Sequence, residues 1–253
     1  MKHARVAYAG AVHDASEQGG RVRLADGRVL AEEEVVWLPP VSLGTVIAVG
    51  LNYIDHAKEL AFSKLTEPLV FLKSASAVSG HRTQTRRPTA ATYMHYECEL
   101  VVVIGRTARR VARADAYDYV AGYCVANDYV IRDYLENYYR PNLRAKNRDG
   151  CTLLGPWMVE AADVPDPMNC VLRTFVNGRM TQEGCTRDMI FGIAFLIEYL
   201  SAFMTLSAGD VILTGTPEGV VNVNVGDEVV TEIEGIGRLT SYIVDDESFA
   251  VVG

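Results

Sequence analysis

A mainly β fold with few helices is predicted by three observations. Short runs rich in Val, Ile and Leu recur along the chain, bounded by Gly, Pro, Asn and Asp. Strong turn signals separate them, at Gly19-Gly20, Asp26-Gly27, Asn177-Gly178 and Asn224-Val-Gly226-Asp227. One stretch, Asp188 to Phe203, reads as a long helix, apolar on most sides and well buried. Such a pattern implies a sandwich, roll or barrel.

Residues 1–42 read as a small N-terminal β module. Val6-Ala-Tyr8, Arg21-Val-Arg-Leu24 and Val35-Val-Trp37 are its strand-like pieces, and Pro39-Pro40 closes it. Residues 43–253 form the main domain. It opens with the apolar strand Thr45 to Gly50, followed by Asn52, which can cap a short helix carrying His56 and Glu59. Leu69-Val-Phe-Leu72 is a further strand with Lys73 at its end. Glu97 to Ile104 and Val120 to Asn127 follow. A hairpin turns at Asn177-Gly178. Val211 to Thr214, Glu228 to Ile233 and Arg238 to Val244 return the chain to strands.

Bulk properties narrow the function. With 253 residues, 22% of them charged, the chain has material for one large core. A net charge of -8 argues against nucleic acid as a partner, since a phosphate backbone demands a basic surface. No apolar run reaches bilayer length, so no membrane partner is expected. The opening Met-Lys-His-Ala-Arg lacks a signal-peptide core, and five irregularly spaced cysteines suit a reducing compartment. The expected location is cytoplasmic. No Cys-x-x-Cys pair supports zinc or an iron–sulfur cluster.

Chemistry concentrates around Glu97-Cys98-Glu99. Side chains alternate along a strand, so the two acids share one face and Tyr96, Cys98 and Leu100 take the other. Asp128 ends a second apolar segment and supplies a third carboxylate. Three converging carboxylates suit a hard divalent cation; solvated acids on an edge strand are the plainer alternative. His56 and Glu59, three apart, face the same way, as a proton-transfer pair or as an ordinary surface pair. Lys73 either snorkels to solvent or neutralises the acids. Arg140, Arg144, Lys146 and Arg148 crowd one polar, aromatic loop, either an ordinary solvated basic loop or one suited to an anionic substrate. Thr214-Gly-Thr-Pro-Glu-Gly219 is either a plain strand-ending turn or one whose hydroxyls and N–H groups hold a carboxylate, and it lacks a phosphate loop's Gly-Lys-Ser/Thr ending.

These pieces, in this order, resemble the fumarylacetoacetate hydrolase family. Gly50-Leu-Asn-Tyr-Ile-Asp-His56, Pro68-Leu-Val-Phe-Leu-Lys73, Tyr96-Glu-Cys-Glu99, Gly122-Tyr-Cys-Val-Ala-Asn-Asp128, Lys146 and Thr214-Gly-Thr-Pro217 carry the resemblance from about residue 44 onward. The run from Arg132 to Arg144, with Lys146 and Arg148-Asp-Gly150, is similar to the branch acting in 4-hydroxyphenylacetate (homoprotocatechuate) catabolism. The resemblance implies a β-roll with a mixed β-sandwich. It implies that Glu97, Glu99 and Asp128 bind Mg²⁺ or Mn²⁺. His56 and Glu59 would be the acid/base pair, and Lys146 would sit beside the substrate's oxo group. Thr216 would contact a substrate carboxylate. Lys73, Arg140, Arg144 and Arg148 complete the expected substrate-binding set.

The implied reactions are decarboxylation of 5-oxopent-3-ene-1,2,5-tricarboxylate and isomerisation of 2-hydroxyhepta-2,4-diene-1,7-dioate, through a dienolate stabilised by the metal. Acylpyruvate hydrolysis or oxaloacetate decarboxylation are the alternatives within the family, and a non-catalytic partner subunit is the alternative outside it. Relatives often fuse two such units, so the expected assembly is a homodimer or a heteromer with a homologous subunit. From the sequence, Asp128→Ala is expected to abolish activity and metal binding without unfolding the protein.

Overall fold

Two mixed β-sheets packed face to face frame the molecule. The computed structural model describes residues 1–53, 66–135 and 143–246. His56, Glu59 and Arg140, with the helix expected to carry the first two, lie outside the described residues. In the larger sheet the strand order is Val29–Leu30, Arg21–Leu24, Ala11–Gln18, Lys2–Tyr8, Thr152–Glu160, Val120–Asp128, Cys98–Ile104, Val211–Leu213, Val46–Gly50 and Leu69–Lys73. The smaller sheet runs Arg179–Cys185, Val171–Val176, Glu228–Ile233, Gly237–Asp245 and Thr83–Arg87. Most neighbours are antiparallel, but Val211–Leu213 pairs Val46–Gly50 in parallel, as Gly237–Asp245 does Thr83–Arg87. The mainly β expectation holds.

The central strand explains its own sequence. Every residue of Cys98–Ile104 is buried. Leu100 and Val102 join the core shared with Leu172, Val229 and Ile243 of the smaller sheet. Val101 and Val103 join a second cluster with Cys124, Ala126, Leu154 and Leu213. Burial on both faces selects a continuous apolar run instead of alternation. Each such side chain contributes roughly 1.5–3 kcal/mol, which offsets the cost of carrying Glu99 on the same strand.

The N-terminal strands form a cluster of their own around Val6, Val22, Leu24 and Trp37. They are also hydrogen-bonded into the larger sheet, with Lys2 opposite Val159. Trp37 meets Trp157 edge to face at 5.0 Å. Besides two-residue pieces, three strands absent from the sequence reading appear here: Ala11–Gln18, Thr83–Arg87 and Thr152–Glu160. The last was hidden by Gly155-Pro156, a pair that reads as a breaker. The ladder with Val120–Asp128 shifts register there, between Tyr123 and Val125, and so accommodates a residue lacking an N–H. The Asn177-Gly178 hairpin forms as expected, both residues at positive φ (50° and 77°).

The long helix is shorter than predicted, spanning Ile193–Phe203 with Gly192 as its N-cap. Residues 189–191 spend their backbone groups elsewhere: Met189 bridges to Tyr53, and the Ile190 and Phe191 N–H groups bond to Asn52. Ile193, Leu196, Ile197, Leu200 and Ser201 are buried at helical spacing. The opposite side is an aromatic row, Phe195, Tyr199 and Phe203, ending exposed. The helix is therefore amphipathic, not enclosed on most sides.

Candidate metal centre

Strand register builds the site. Cys98 lies opposite Asn127, and the Asp128 N–H bonds to the Glu97 carbonyl at 2.9 Å. Period-two alternation then puts Glu97 and Glu99 on the face of Val101 and Val103, and Asp128 on that of Ala126 and Cys124. One oxygen from each carboxylate lies within 4.8 Å of the others. Two oxygens opposed across a Mg²⁺-sized ion stand about 4 Å apart, so the cluster has a suitable span. These acids are not solvated: Glu99 is 2% exposed and Asp128 0%. The edge-strand alternative is thereby removed.

Two lysines enter the same space. Lys146, on the short helix Leu143–Lys146, donates to Glu97 Oε2 and, at 2.9 Å, to Asp128 Oδ2. Lys73 Nζ donates to Asp128 Oδ1 at 2.6 Å and to the Lys146 carbonyl, and its side chain is fully enclosed. Thr152 Oγ1 adds a bond to Asp128 Oδ1 at 3.1 Å. Of the two roles open to Lys73, neutralising the acids matches this geometry. Its ammonium is turned toward Asp128 and the Lys146 carbonyl.

The electrostatics leave a deficit of positive charge. Among the described residues, three carboxylates face two ammonium groups. Lys146 is held well above the usual lysine range by Asp128, Glu97 and Glu99, which outweigh burial. Burial opposes ionisation of Asp128, but Lys146 and Lys73 keep it below the usual carboxylate range. Glu99 goes the other way. Burial, then the charges of Asp128 and Glu97, push it well above that range, despite the Gly215 N–H bonded to its Oε2 at 2.6 Å. A cation bound by the three acids would supply the missing positive charge and favour the ionised form of Glu99. All three donors are oxygens, the preference of Mg²⁺ and Mn²⁺.

Other expected residues divide. Thr216 is buried beside the site, its Oγ1 accepting from Gln182 Nε2 at 3.0 Å. Arg144 stacks on Tyr134 at 3.9 Å. Arg148, two residues beyond Lys146, turns away and pairs with Asp246 at 2.6 Å, in a groove shared with Arg86 and Asp149. Its guanidinium is thus paired with a carboxylate of the protein. The Thr214-Gly-Thr-Pro turn does hold a carboxylate through a backbone N–H, but that carboxylate is Glu99.

Several residues escaped the sequence reading. His95 is wholly buried; burial, reinforced by Arg132 and Lys146, lowers it to about 4 and keeps it neutral. Its Nδ1 donates to the Tyr96 carbonyl at 2.9 Å, and its Nε2 accepts from Arg132 Nε at 2.7 Å. That chain brings a guanidinium toward Glu97, whose Oε1 lies 4.0 Å from Nδ1. A histidine two residues before an acid was the only available signal. Gln182 had none, and Asn52 was read only as a helix cap and as part of the Gly50–His56 motif.

The chain belongs to the fumarylacetoacetate hydrolase family: residues 45–244 match the family model for the fumarylacetoacetate (FAA) hydrolase C-terminal region. It is 56% identical over 243 residues to a 4-hydroxyphenylacetate degradation bifunctional isomerase/decarboxylase from Salmonella dublin. That match covers 91% of this chain and 56% of the relative, so the chain spans about half the length of that relative. Among solved structures, 5-carboxymethyl-2-hydroxymuconate delta-isomerase from Mycobacterium smegmatis superposes with a TM-score of 0.86 at 38% identity, covering 97% and 99% of the two chains. Fumarylpyruvate hydrolase from Pseudomonas aeruginosa, in complex with Mn²⁺ and pyruvate, gives 0.76 at 32% identity, covering 81% and 91%. Related structures therefore carry Mn²⁺, and this chain has an acidic cluster fit for one. Among the described residues no helix is long and apolar enough to cross a membrane.

Proposed function

We propose that this chain is a divalent-metal-dependent enzyme of aromatic catabolism. It decarboxylates 5-oxopent-3-ene-1,2,5-tricarboxylate and isomerises 2-hydroxyhepta-2,4-diene-1,7-dioate to 2-oxohept-3-ene-1,7-dioate. The observation that carries this reading is the buried Glu97–Glu99–Asp128 cluster with Lys146 against it. The names of the Salmonella dublin and Mycobacterium smegmatis relatives support the substrate class. Glu97, Glu99 and Asp128 would hold Mg²⁺ or Mn²⁺, which supplies Lewis acidity toward the oxygens of a 2-oxo acid.

The residues of the chain then divide the work. Breaking the bond to the departing carboxylate releases CO₂ and sends its electron pair through the conjugated chain to the keto oxygen. The Lys146 ammonium, fixed between two carboxylates, faces the negative charge that develops there. Lys73 keeps Asp128 ionised from behind. Protonation of the dienolate oxygen gives the 2-hydroxydiene. Isomerisation removes that proton and delivers one to the far carbon of the diene, the transfers assigned to His56 and Glu59. Arg140 and Arg144 are the cations assigned to the remote carboxylate, and Thr216 to the near one. The assembly proposed is a pair, of two copies or of this chain with a homologue, in keeping with the greater length of the Salmonella dublin relative, of which the match covers 56%. Its proposed location is the cytoplasm.

The test is incubation of the purified chain with Mg²⁺ or Mn²⁺ and the tricarboxylate, following CO₂ and the ultraviolet absorbance of the dienol together. Loss of absorbance with CO₂ release supports both reactions; CO₂ with lasting absorbance limits the chain to decarboxylation. Neither signal sinks the reading. A second reading, acylpyruvate hydrolysis, is favoured by the Mn²⁺–pyruvate complex of the Pseudomonas aeruginosa relative. Release of a second carboxylic acid in place of CO₂ would establish it. If the purified chain is inert yet activates a homologous partner, it is a non-catalytic subunit.

A further inference from the structure

Asn52 lies outside the carboxylate cluster, yet its side chain is completely buried and makes three hydrogen bonds. Nδ2 donates to the Thr214 carbonyl at 2.8 Å and to the Phe191 carbonyl at 3.0 Å. Oδ1 accepts from the Phe191 N–H at 2.8 Å. Its backbone carbonyl also accepts from the Ile190 N–H at 2.7 Å. One small amide thus ties together the end of the Val46–Gly50 segment, the approach to the Ile193–Phe203 helix and the Thr214-Gly215 turn.

That turn leads to the metal ligands. The Gly215 N–H is the group bonded to Glu99 Oε2. Thr214 is fastened to the backbone beside Glu99, its N–H and Oγ1 both donating to the Leu100 carbonyl, at 3.1 and 2.8 Å. Gly215 adopts a φ of +90°, and a Cβ there would meet Asn52 Cβ at 3.0 Å and the Val49 carbonyl oxygen at 3.1 Å. The peptide that orients Glu99 is therefore clamped between Leu100 on one side and Asn52 on the other.

We infer that Asn52 is a positioning residue for the metal centre: its amide fixes the Thr214-Gly215 peptide, whose N–H aims the Glu99 carboxylate. This rests on the reading of Glu97, Glu99 and Asp128 as metal ligands. Groups that orient ligands are worth roughly 10–100-fold in metal affinity in established metal sites. The role also explains an asparagine among apolar neighbours, since burying an amide is favourable only when its hydrogen bonds are satisfied.

The experiment uses the full chain, stripped with a chelator and titrated with Mn²⁺. Free ion is read from its electron paramagnetic resonance signal, and the bound spectrum is recorded. Wild-type protein, Asn52→Ala, Gly215→Ala and the double variant are compared. Ser201→Ala is the control, because it removes a buried hydrogen bond to the Val111 N–H with no link to the carboxylates. Asn52→Ala is expected to weaken Mn²⁺ binding roughly tenfold and alter the bound spectrum. The double variant should lose little more than the worse single one, because both act through one peptide. Ser201→Ala should lower the melting temperature and leave affinity and spectrum unchanged. Should Asn52→Ala fail to fold, Asn52→Asp keeps the acceptor for Phe191 and removes both Nδ2 donors, and the same loss is expected. Wild-type affinity and spectrum in the Asn52 variant would overturn the inference alone. Failure of the wild-type protein to bind Mn²⁺ would remove the metal reading, and this inference with it.

Discussion

The carboxylate centre and the helix surface hold the same chemical pairing in different settings. Lys73 meets Asp128 at 2.6 Å with both side chains wholly enclosed, whereas Arg113 meets Glu198 at 2.5 Å with its side chain 55% exposed. Water screens the surface pair, which contributes under about 1 kcal/mol. In the interior each ion is costly to desolvate, and removing one partner strands the other at a cost of about 3–5 kcal/mol. Contact distance is nearly equal, so burial alone separates a minor ornament from a committed arrangement. Among the described residues the centre also carries three acids against two lysines, a mismatch that the surface pair does not have.

The sharpest way to break this contrast is Asp128→Ala. Activity and Mn²⁺ binding should disappear. Lys73 and Lys146 would both lose a carboxylate, so about 3–5 kcal/mol of stability should go too, a fall of roughly 6–20 °C in melting temperature. The sequence reading expected no unfolding; the enclosed ammonium of Lys73 is why the expectation changes. A calorimetric midpoint within 2 °C of wild type would contradict the committed character of the pair.

His56→Ala comes next. Proton transfer should slow by roughly 10²–10⁴-fold while Mn²⁺ affinity stays close to wild type. Unchanged turnover would remove His56 from the mechanism. Lys146→Met should lower kcat by roughly 10²–10³-fold. It should not weaken Mn²⁺ binding, because it frees oxygens of Glu97 and Asp128. Steady-state kinetics with a parallel Mn²⁺ titration checks both halves.

Saturating Mn²⁺ should sharpen the comparison from the ligand side. At a hundredfold excess over Kd it stabilises the fold by about 2.7 kcal/mol, and a chelator should reverse the shift in melting temperature. The smallest effect belongs to Arg113→Ala. It should cost under about 1 kcal/mol and leave kinetics and metal affinity alone, with its residual loss reduced in high salt.

Much of the centre was legible before the fold. Glu97-x-Glu99 and Asp128 stood out as acids set in apolar runs, and the geometry brings them within a single ion's reach. The hairpin at Asn177-Gly178 was equally plain, since two successive residues at positive φ favour that pair. A charge in a loop shows nothing of its direction. Lys146 points into the centre, and Arg148, two residues later, points to Asp246. The helix start was misplaced for a related reason: Met189 to Phe191 have helical composition, but their backbone bonds go to residues 52 and 53.

By itself the sequence determined the mainly β class, the family and the three acids, because these follow from local periodicity, turn chemistry and motif order along one dimension. Only the tertiary structure decided that Lys73 serves Asp128, that the Thr214-Gly215 turn grips Glu99, and that Asn52 holds that turn. Those contacts join residues 55, 116 and 162 positions apart. Which distant side chains meet depends on sheet register and packing, and a lone lysine or asparagine carries no record of its partner.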